Sequence, residues 1–251
     1  MNTNRSLMKI RGVEVLLLRK KIKNLHLNVL PPNGTVRVSA PLGMSDDAIY
    51  TFLATRLPWI KKQQAKFKGQ ERQTPRKYVD GESHYYLGKR YRLEVVYIED
   101  KSKVEIKNKK KIVLSVRPGS DTKKRERVLQ NWYRNELRQV LDPLIKKWQE
   151  KIGVQVDFWR IRRMKTRWGT CNEKTKRIWL NLELVKKPES CIEYVVVHEL
   201  VHILERIHSD KFVRLMDKYL PKWRDEKDEL NRFILAHEEW KNGNGVSTFD
   251  T

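Results

Sequence analysis

The sequence predicts an α+β protein in which a β-rich N-terminal region is followed by a mainly helical second half. Two observations support this prediction. Up to about residue 116, short runs alternate apolar and polar side chains, which is the two-residue period of strands. From residue 121 to about residue 152, apolar residues recur near every 3.6 positions, which is the helical period, and the region after about residue 190 is again predicted to be helical.

The N-terminal region contains five strand-like runs and one helix. The helix begins after Ser45, a favoured N-cap residue, and runs towards Phe67. Residues 31–34 read Pro-Pro-Asn-Gly, which predicts a turn between two strands. The strand-like runs are residues 13–18, 25–30, 36–40, 91–97 and 111–116.

The second half begins with turn residues and a helix start signal at residues 118–121. A long helix is predicted from there to about Ile152, and no internal repeat is visible in the sequence. Strand-like runs follow at 154–160 and 177–184, and a helical region begins near residue 190, with breaks at 207–209 and Pro221. The apolar residues that recur along the long helix are Val128, Trp132, Leu137, Leu141, Leu144, Ile145 and Trp148.

These patterns place a domain boundary near residue 119. We expect a basic, β-rich region with one helix over residues 1–119, a second domain over residues 120–242, and a polar tail over residues 243–251. With 251 residues, the chain is long enough to bury a core without disulfide or metal staples.

Composition excludes several classes of protein. No apolar run approaches the length of about 20 residues that spans a bilayer, and no secretory signal is recognisable, so we expect a cytoplasmic protein without a membrane partner. The two cysteines, Cys171 and Cys191, are too far apart for a CxxC motif and suggest no disulfide framework. We interpret Cys171 as a structural residue.

Residues 198–202 read His-Glu-Leu-Val-His, an HExxH pattern. Residues four apart on a helix share one face, so His198 and His202 can bind one metal ion, for which zinc is expected. A bound Zn²⁺ lowers the pKa of its water towards 7, and Glu199 is placed to take that proton and pass it to a leaving amine. The pattern therefore predicts a zinc metallopeptidase with one Zn²⁺ per chain.

A third ligand is predicted at His208. Six positions after His202 correspond to about 120° around an unbroken helix, so the helix must end near Glu205 for His208 to reach the ion. Ser209 and the apolar run behind it predict the N-cap of a new helix. The metzincin pattern has Gly where this chain has Glu205, and we interpret Met216 as a core residue.

HExxH is short and also occurs by chance in ordinary helices, where both His are surface or capping residues. Here three of the six His fall within residues 198–208, behind the apolar segment 192–197, which is typical of a core helix. This clustering favours the metal site. We interpret His26, His84 and His237, which have no such neighbours, as ordinary strand, loop and surface residues.

Segments around this pattern resemble the YgjP-like family of metal-dependent hydrolases, relatives of the SprT-like and WLM zincins. Residues 167–171 read Arg-Trp-Gly-Thr-Cys, which is similar to the RWGSC motif of that family. The resemblance extends over nearly the whole chain. The segments that carry it are residues 38–42, 59–62, 81–88, 167–171, 178–184 and 194–202.

The resemblance implies a zincin-like catalytic half with an active-site helix, an edge strand and C-terminal helices. It also implies that His198, His202 and His208 bind Zn²⁺ and that Glu199 is the base. In zincins, an edge strand lies above the metal helix and pairs with an extended substrate backbone. Residues 178–184 are the candidate for this strand, with an ordinary buried strand as the alternative.

Four residues are candidates for binding a peptide or unfolded protein substrate. Arg167 is suited to stabilising an oxyanion or holding a substrate carboxylate. Trp168 is a candidate for substrate contact, although core packing is the favoured role of a large aromatic residue. Trp179 and Asn181, in the strand-like run that follows, complete the set.

The formal net charge of +23 is unevenly distributed. Residues 1–120 carry 26 basic and 10 acidic side chains, whereas residues 191–251 carry 9 basic and 12 acidic ones. Such a field favours polyanions, so the basic half predicts non-specific nucleic acid as a possible partner. The alternatives are a nucleic-acid-binding protein whose His site is structural, and a charge that only solvates the surface.

Overall fold

The computed structural model describes residues 4–30, 33–68, 76–164 and 167–232. The predicted polar tail at residues 243–251 and His237 lie outside the described residues. The α+β class is confirmed, because the described residues form three sheets and five α-helices. No described helix is long and apolar enough to cross a membrane. The chain divides into two compact units, one within Met1–Gln73 and one within Thr74–Glu238.

The first unit is a four-stranded sheet followed by a helix. Its strands have the order β1-β2-β4-β3, in which β2 and β4 are parallel and the outer pairs are antiparallel. Ser45 caps the helix as the sequence predicts, since its Oγ accepts a hydrogen bond of 3.3 Å from the backbone N–H of Ala48. The elements are β1 (Asn4–Ile10), β2 (Val13–Lys20), β3 (His26–Leu30), β4 (Thr35–Pro41) and α1 (Asp46–Lys68).

Helix α1 packs on the sheet through one apolar stripe. The stripe consists of Ile49, Leu53, Leu57 and Ile60, whose spacing of three or four places them on one face of the helix. They share a core with alternate residues of the two central strands, and side chains two apart on a strand point to the same face.

A second four-stranded sheet opens the second unit. Its order, β5-β6-β8-β7, again has a parallel central pair and antiparallel outer pairs. The same topology therefore occurs twice, each time followed by a long helix, although the sequence shows no repeat. The elements are β5 (Ser83–Tyr86), β6 (Lys89–Tyr97), β7 (Lys103–Lys107), β8 (Lys111–Val116) and α2 (Thr122–Ile152).

Helix α2 begins and ends with favourable caps. Asp121 accepts a hydrogen bond of 2.7 Å from the backbone N–H of Lys124, and Gly153 follows the helix in the left-handed conformation. The buried face differs from the predicted one in the N-terminal third of the helix, where Leu129 and Tyr133 are buried and Val128 and Trp132 are half-buried. The full set of buried residues is Leu129, Tyr133, Leu137, Leu141, Ile145, Trp148 and Ile152.

The second sheet and α2 share one core, so the compact units divide near residue 73. The sequence places the boundary near residue 119, at the turn before α2. Apolar residues on both sides of that turn, including Leu93, Ile112, Leu114 and Leu137, belong to one buried cluster. A turn signal marks where an element ends, but burial decides which elements share a core.

A three-stranded sheet and three helices complete the second unit. Its strand order is β10-β11-β9, with β11 antiparallel to β10 and parallel to β9. A short 3₁₀ helix, Leu182–Lys186, connects the sheet to α3. The elements are β9 (Phe158–Arg162), β10 (Gly169–Asn172), β11 (Arg177–Asn181), α3 (Glu189–Val201), α4 (Asp210–Tyr219) and α5 (Trp223–Arg232).

Of the two alternatives for residues 178–184, an edge strand and an ordinary buried strand, the structure contradicts the edge strand. Strand β11 ends at Asn181 and has a neighbour on both sides, so it is the central strand. Asn181 ends the strand because its Oδ1 accepts a hydrogen bond from the backbone N–H of Glu183, which starts the 3₁₀ helix. Among the described strands of this sheet, β10 and β9 are the edges.

Candidate metal centre

Helix α3 carries two polar side chains into the interior. All of its residues from Cys191 to Val201 are buried except the half-buried Glu193. His198 is 4% exposed and Glu199 is 3% exposed. Burial of such groups costs free energy unless they are paired or bind a ligand. Their place on an otherwise apolar helix therefore marks them as functional candidates.

Three imidazoles converge at the C-terminal end of α3. The Nε2 atom of His198 lies 3.2 Å from Nε2 of His202 and 3.2 Å from Nε2 of His208. One ring nitrogen from each residue lies within 4.8 Å of the others. Nitrogen donors in this arrangement can hold one metal ion.

The chain folds back after α3 to bring His208 into the group. The helix ends at Val201, and the backbone N–H groups of Leu204 and Glu205 both donate to its carbonyl, which forms a tight turn. Helix α4 then begins after Ser209, whose Oγ accepts a hydrogen bond of 3.3 Å from the backbone N–H of Phe212. This N-cap is the one that the sequence predicts.

Hydrogen bonding and burial favour the metal-binding form of the histidines. The Nδ1 atom of His202 lies 3.1 Å from the carbonyl oxygen of Glu205, so it carries the proton and leaves Nε2 as the lone-pair donor. Burial lowers the pKa of His198 well below its usual value and also lowers the pKa of His202. Both imidazoles are therefore neutral at neutral pH, as a metal ligand must be.

The aromatic ring of Phe212 packs against all three histidines. The centroid of its ring lies 5.0, 4.8 and 4.7 Å from the ring centroids of His198, His202 and His208, respectively. Phe212 is 2% exposed. The sequence gives no signal for this role, because a Phe in the first turn of an amphipathic helix has the pattern of any other core residue. Its contacts limit the imidazoles to few orientations.

Glu199 lies against the backbone of the edge strand β10. A Cβ atom on Gly169 would lie 2.5 Å from Oε1 of Glu199 and 2.7 Å from its Cγ, so only glycine fits. Burial raises the pKa of Glu199 to about 8, and the guanidinium of Arg167 opposes this shift. The motif Arg167-Trp168-Gly169 is thus adjacent to the carboxyl group in space.

We expect Gly169→Ala to lower kcat by about 100-fold while metal content is unchanged. The added methyl group needs space that the Glu199 side chain occupies, so it displaces the carboxylate from its position. Steady-state peptide hydrolysis and metal analysis check this. Gly43→Ala is the matched control, since a Cβ there has no atom within 4 Å. Full activity of Gly169→Ala would mean that the carboxylate does not depend on this contact.

The structure places the four candidate substrate-binding residues on or beside the three-stranded sheet. Asn181 is fully buried, and its Nδ2 donates to the carbonyl oxygens of Met164 and Arg167 at 2.8 and 2.7 Å. Trp168 is 3% exposed, with the ammonium group of Lys187 lying 5.3 Å from a ring centroid. Arg167 and Trp179 are half-buried. Asn181 and Trp168 are therefore placed to hold the segment that carries Arg167.

Neither cysteine joins the histidine cluster. Burial, together with the negative charges of Glu199 and Glu173, raises the pKa of Cys171 to about 12. Burial and nearby carboxylates raise the pKa of Cys191 likewise to about 12. Both residues are thiols at neutral pH, which agrees with the structural role expected for Cys171.

A family model for the YgjP-like metallopeptidase domain matches residues 23–233. The chain belongs to the YgjP-like family. The match includes the histidine cluster, Glu199 and the Arg167-Trp168-Gly169 segment, so the YgjP-like chain is a member of a metallopeptidase family over most of its length. The family resemblance seen in the sequence is thereby confirmed.

Two solved structures show similarity to part of this YgjP-like chain. They are the metallopeptidase zymogens abylysin of Pyrococcus abyssi and jannalysin of Methanocaldococcus jannaschii. Each is 24% identical over 36% of this chain, which corresponds to 90% and 88% of the respective structures, with TM-scores of 0.34 and 0.31. No curated protein matches the chain significantly.

Proposed function

We propose that this chain is a zinc-dependent peptidase in which His198, His202 and His208 bind one Zn²⁺ and Glu199 is the general base. The observation that carries the proposal is the convergence of three imidazoles beside a buried carboxyl group. Imidazole nitrogen suits zinc, and three protein ligands leave one coordination position open, as in catalytic zinc sites.

Glu199 supplies the proton transfers. A bound Zn²⁺ supplies Lewis acidity, which polarises the scissile carbonyl and makes water more acidic. A carboxylate oxygen of Glu199 accepts a proton from the attacking water and releases it to the nitrogen of the leaving amine. Burial raises the pKa of Glu199 to about 8 in the metal-free site, and the positive charge of a bound Zn²⁺ would lower it again, towards the range in which a carboxylate accepts a proton at neutral pH.

Arg167 is the proposed source of positive charge near the reacting groups. Its guanidinium opposes the upward shift in the pKa of Glu199, which indicates electrostatic interaction between the two side chains. Asn181 holds the backbone of Arg167 through its carbonyl, so the position of Arg167 is supported by a fully buried group. We propose that Arg167 stabilises negative charge on the carbonyl oxygen during hydrolysis.

Strand β10 is the proposed partner of an extended substrate. It is an edge of its sheet among the described strands, and Gly169 brings it into contact with Glu199. A peptide that pairs with this edge gains backbone hydrogen bonds and has its carbonyl groups held in a defined position. This mode favours unfolded or extended polypeptides, whose backbone groups are free to pair.

The alternative function, nucleic-acid binding with a structural His site, has less support. A structural zinc site closes with four protein ligands and needs no carboxyl group beside it, whereas the described cluster contains three His and lies next to Glu199. All proposed ligands and the base lie within residues 120–242, the predicted catalytic domain. Recruitment to nucleic acid by the basic N-terminal region stays a prediction.

Metal removal tests the proposed function. We expect the purified protein to contain about one zinc per chain and to hydrolyse casein. Dialysis against a chelator is expected to abolish hydrolysis, and Zn²⁺ but not Mg²⁺ to restore it, because imidazole nitrogen binds zinc in preference to the oxygen-seeking Mg²⁺. Hydrolysis that persists in metal-free protein, or a protein that takes up no zinc, would refute the assignment.

A further inference from the structure

A pocket of about 580 Å³ opens on the three-stranded sheet, outside the histidine cluster. It is lined by residues from β9, β10 and β11, from the segment after β9, and from α2. Three of its residues are arginines and one is a tryptophan. The lining residues are Arg134, Ile161, Arg162, Arg163, Met164, Thr170 and Trp179.

Two of the three arginines keep their charge available for a ligand. The guanidinium of Arg163 is paired with the carboxylate of Glu126 at 3.2 Å. Arg162 lies over the ring of Trp179, with its Cζ 5.8 Å from the ring centroid. Within the part of the chain that the structure describes, no acidic side chain forms an ion pair with Arg134 or Arg162. The pocket is therefore net positive, with an aromatic wall.

The pocket shares a strand with the proposed catalytic site. Gly169 and Thr170 are consecutive on β10, and successive residues of a strand face opposite sides of the sheet. Gly169 faces Glu199, whereas Thr170 lines the pocket together with its cross-strand partner Trp179. In a peptide strand that is added at the edge of β10, successive side chains likewise point to opposite faces of the sheet.

We propose that this pocket binds an acidic side chain of the peptide substrate and so sets its specificity. The inference rests on the proposed function, since it assumes that the substrate pairs with β10. The substrate residue opposite Gly169 then lies beside Glu199, and the residue opposite Thr170 points towards the pocket. Thr170 is the smallest side chain in the lining, so a Glu or Asp side chain can extend over it towards Arg162 and Arg134. The aromatic wall orients the guanidinium of Arg162 for this contact.

Peptide binding tests this proposal separately from hydrolysis. The probes are fluorescein-labelled peptides in which a single Glu moves along a neutral, extended sequence, each with a Gln counterpart. Binding is measured by fluorescence anisotropy on zinc-loaded Glu199→Gln protein, which does not turn the peptide over. We expect the best Glu peptide to bind about tenfold more tightly than its Gln counterpart, the ratio that one charge-assisted hydrogen bond provides.

The variant Arg134→Gln/Arg162→Gln is expected to reduce this ratio to about one. The matched control is Arg138→Gln/Arg177→Gln, which also removes two charges. Arg138 lies over Trp159 as Arg162 lies over Trp179, but neither control residue lines the pocket. The control is expected to keep the full preference for Glu.

Equal binding of the Glu and Gln peptides would overturn the proposal, as would a preference that persists in Arg134→Gln/Arg162→Gln. If that variant keeps the preference and instead loses affinity for a single-stranded oligonucleotide, the pocket serves nucleic acid. Failure of the proposed function has a different signature, because wild-type protein would then cleave none of the peptides while the binding preference is unaffected. Cleavage by wild type is mapped by mass spectrometry of the products.

Discussion

Substituting Gln for Glu199 is expected to abolish peptide hydrolysis and to leave zinc content and fold unchanged. Gln has nearly the same shape as Glu, so it fills the same buried space against Gly169. It cannot accept a proton from water, and loss of a general base lowers the rate by about 10² to 10⁴-fold. Steady-state hydrolysis of casein and of a defined peptide measures the loss, with zinc analysis of the same preparation.

Glu189→Gln is the matched control, because Glu189 lies on the same helix α3 but is exposed at its N-terminal end. It is expected to retain wild-type activity. If Glu199→Gln contained one zinc per chain and hydrolysed peptides at the wild-type rate, Glu199 would not be the base. Loss of zinc in Glu199→Gln would instead assign the residue a role in holding the site.

Removing His208 is expected to lower zinc affinity by at least about 100-fold and to abolish hydrolysis, since even loss of a supporting contact to a ligand costs about 10 to 100-fold. His208 is the informative ligand because it is exposed, whereas His198 is buried and its replacement would leave a cavity. Zinc affinity is measured by competition with a chromophoric chelator. Thermal unfolding of the metal-free protein is expected to be unchanged.

His26→Ala is the control for this experiment. His26 is exposed on β3, in the first compact unit, and belongs to no group of metal-binding side chains among the described residues. Its removal is expected to leave zinc affinity unchanged. Wild-type zinc affinity in His208→Ala would show that the third ligand is another residue. The chain reversal after α3 would then not contribute to metal binding.

The helices and most strands could be predicted because their signals are local. Ser45, Asp121 and Ser209 each cap a helix where the sequence places one, since a capping side chain bonds to a backbone group a few residues away. The strands β1, β5, β7 and β10 were missed. Strands β5, β7 and β10 are short, and apolar and polar residues do not alternate regularly along β1. All four exist because a neighbouring strand supplies hydrogen bonds.

The repeated sheet topology could not be predicted from the sequence for a similar reason. Strand order depends on which backbone groups pair, and many side-chain sequences satisfy the same pairing. No repeat is therefore visible in the sequence, although both four-stranded sheets have the same order. The grouping of the second sheet with α2 likewise depends on shared burial, which the turn at residues 118–121 does not reveal.

The sequence by itself determined the α+β class, the spacing of His198, Glu199 and His202, and the family. These properties follow from residue identity and from the fixed geometry of a helix. The sequence also predicts His208 as the third ligand, whereas the tertiary structure alone decided that Phe212 packs against all three histidines, that β10 is the edge beside Glu199, and that three arginines share a pocket. Each of these contacts joins residues from different elements, and such contacts arise from packing and chain reversal, which no local pattern specifies.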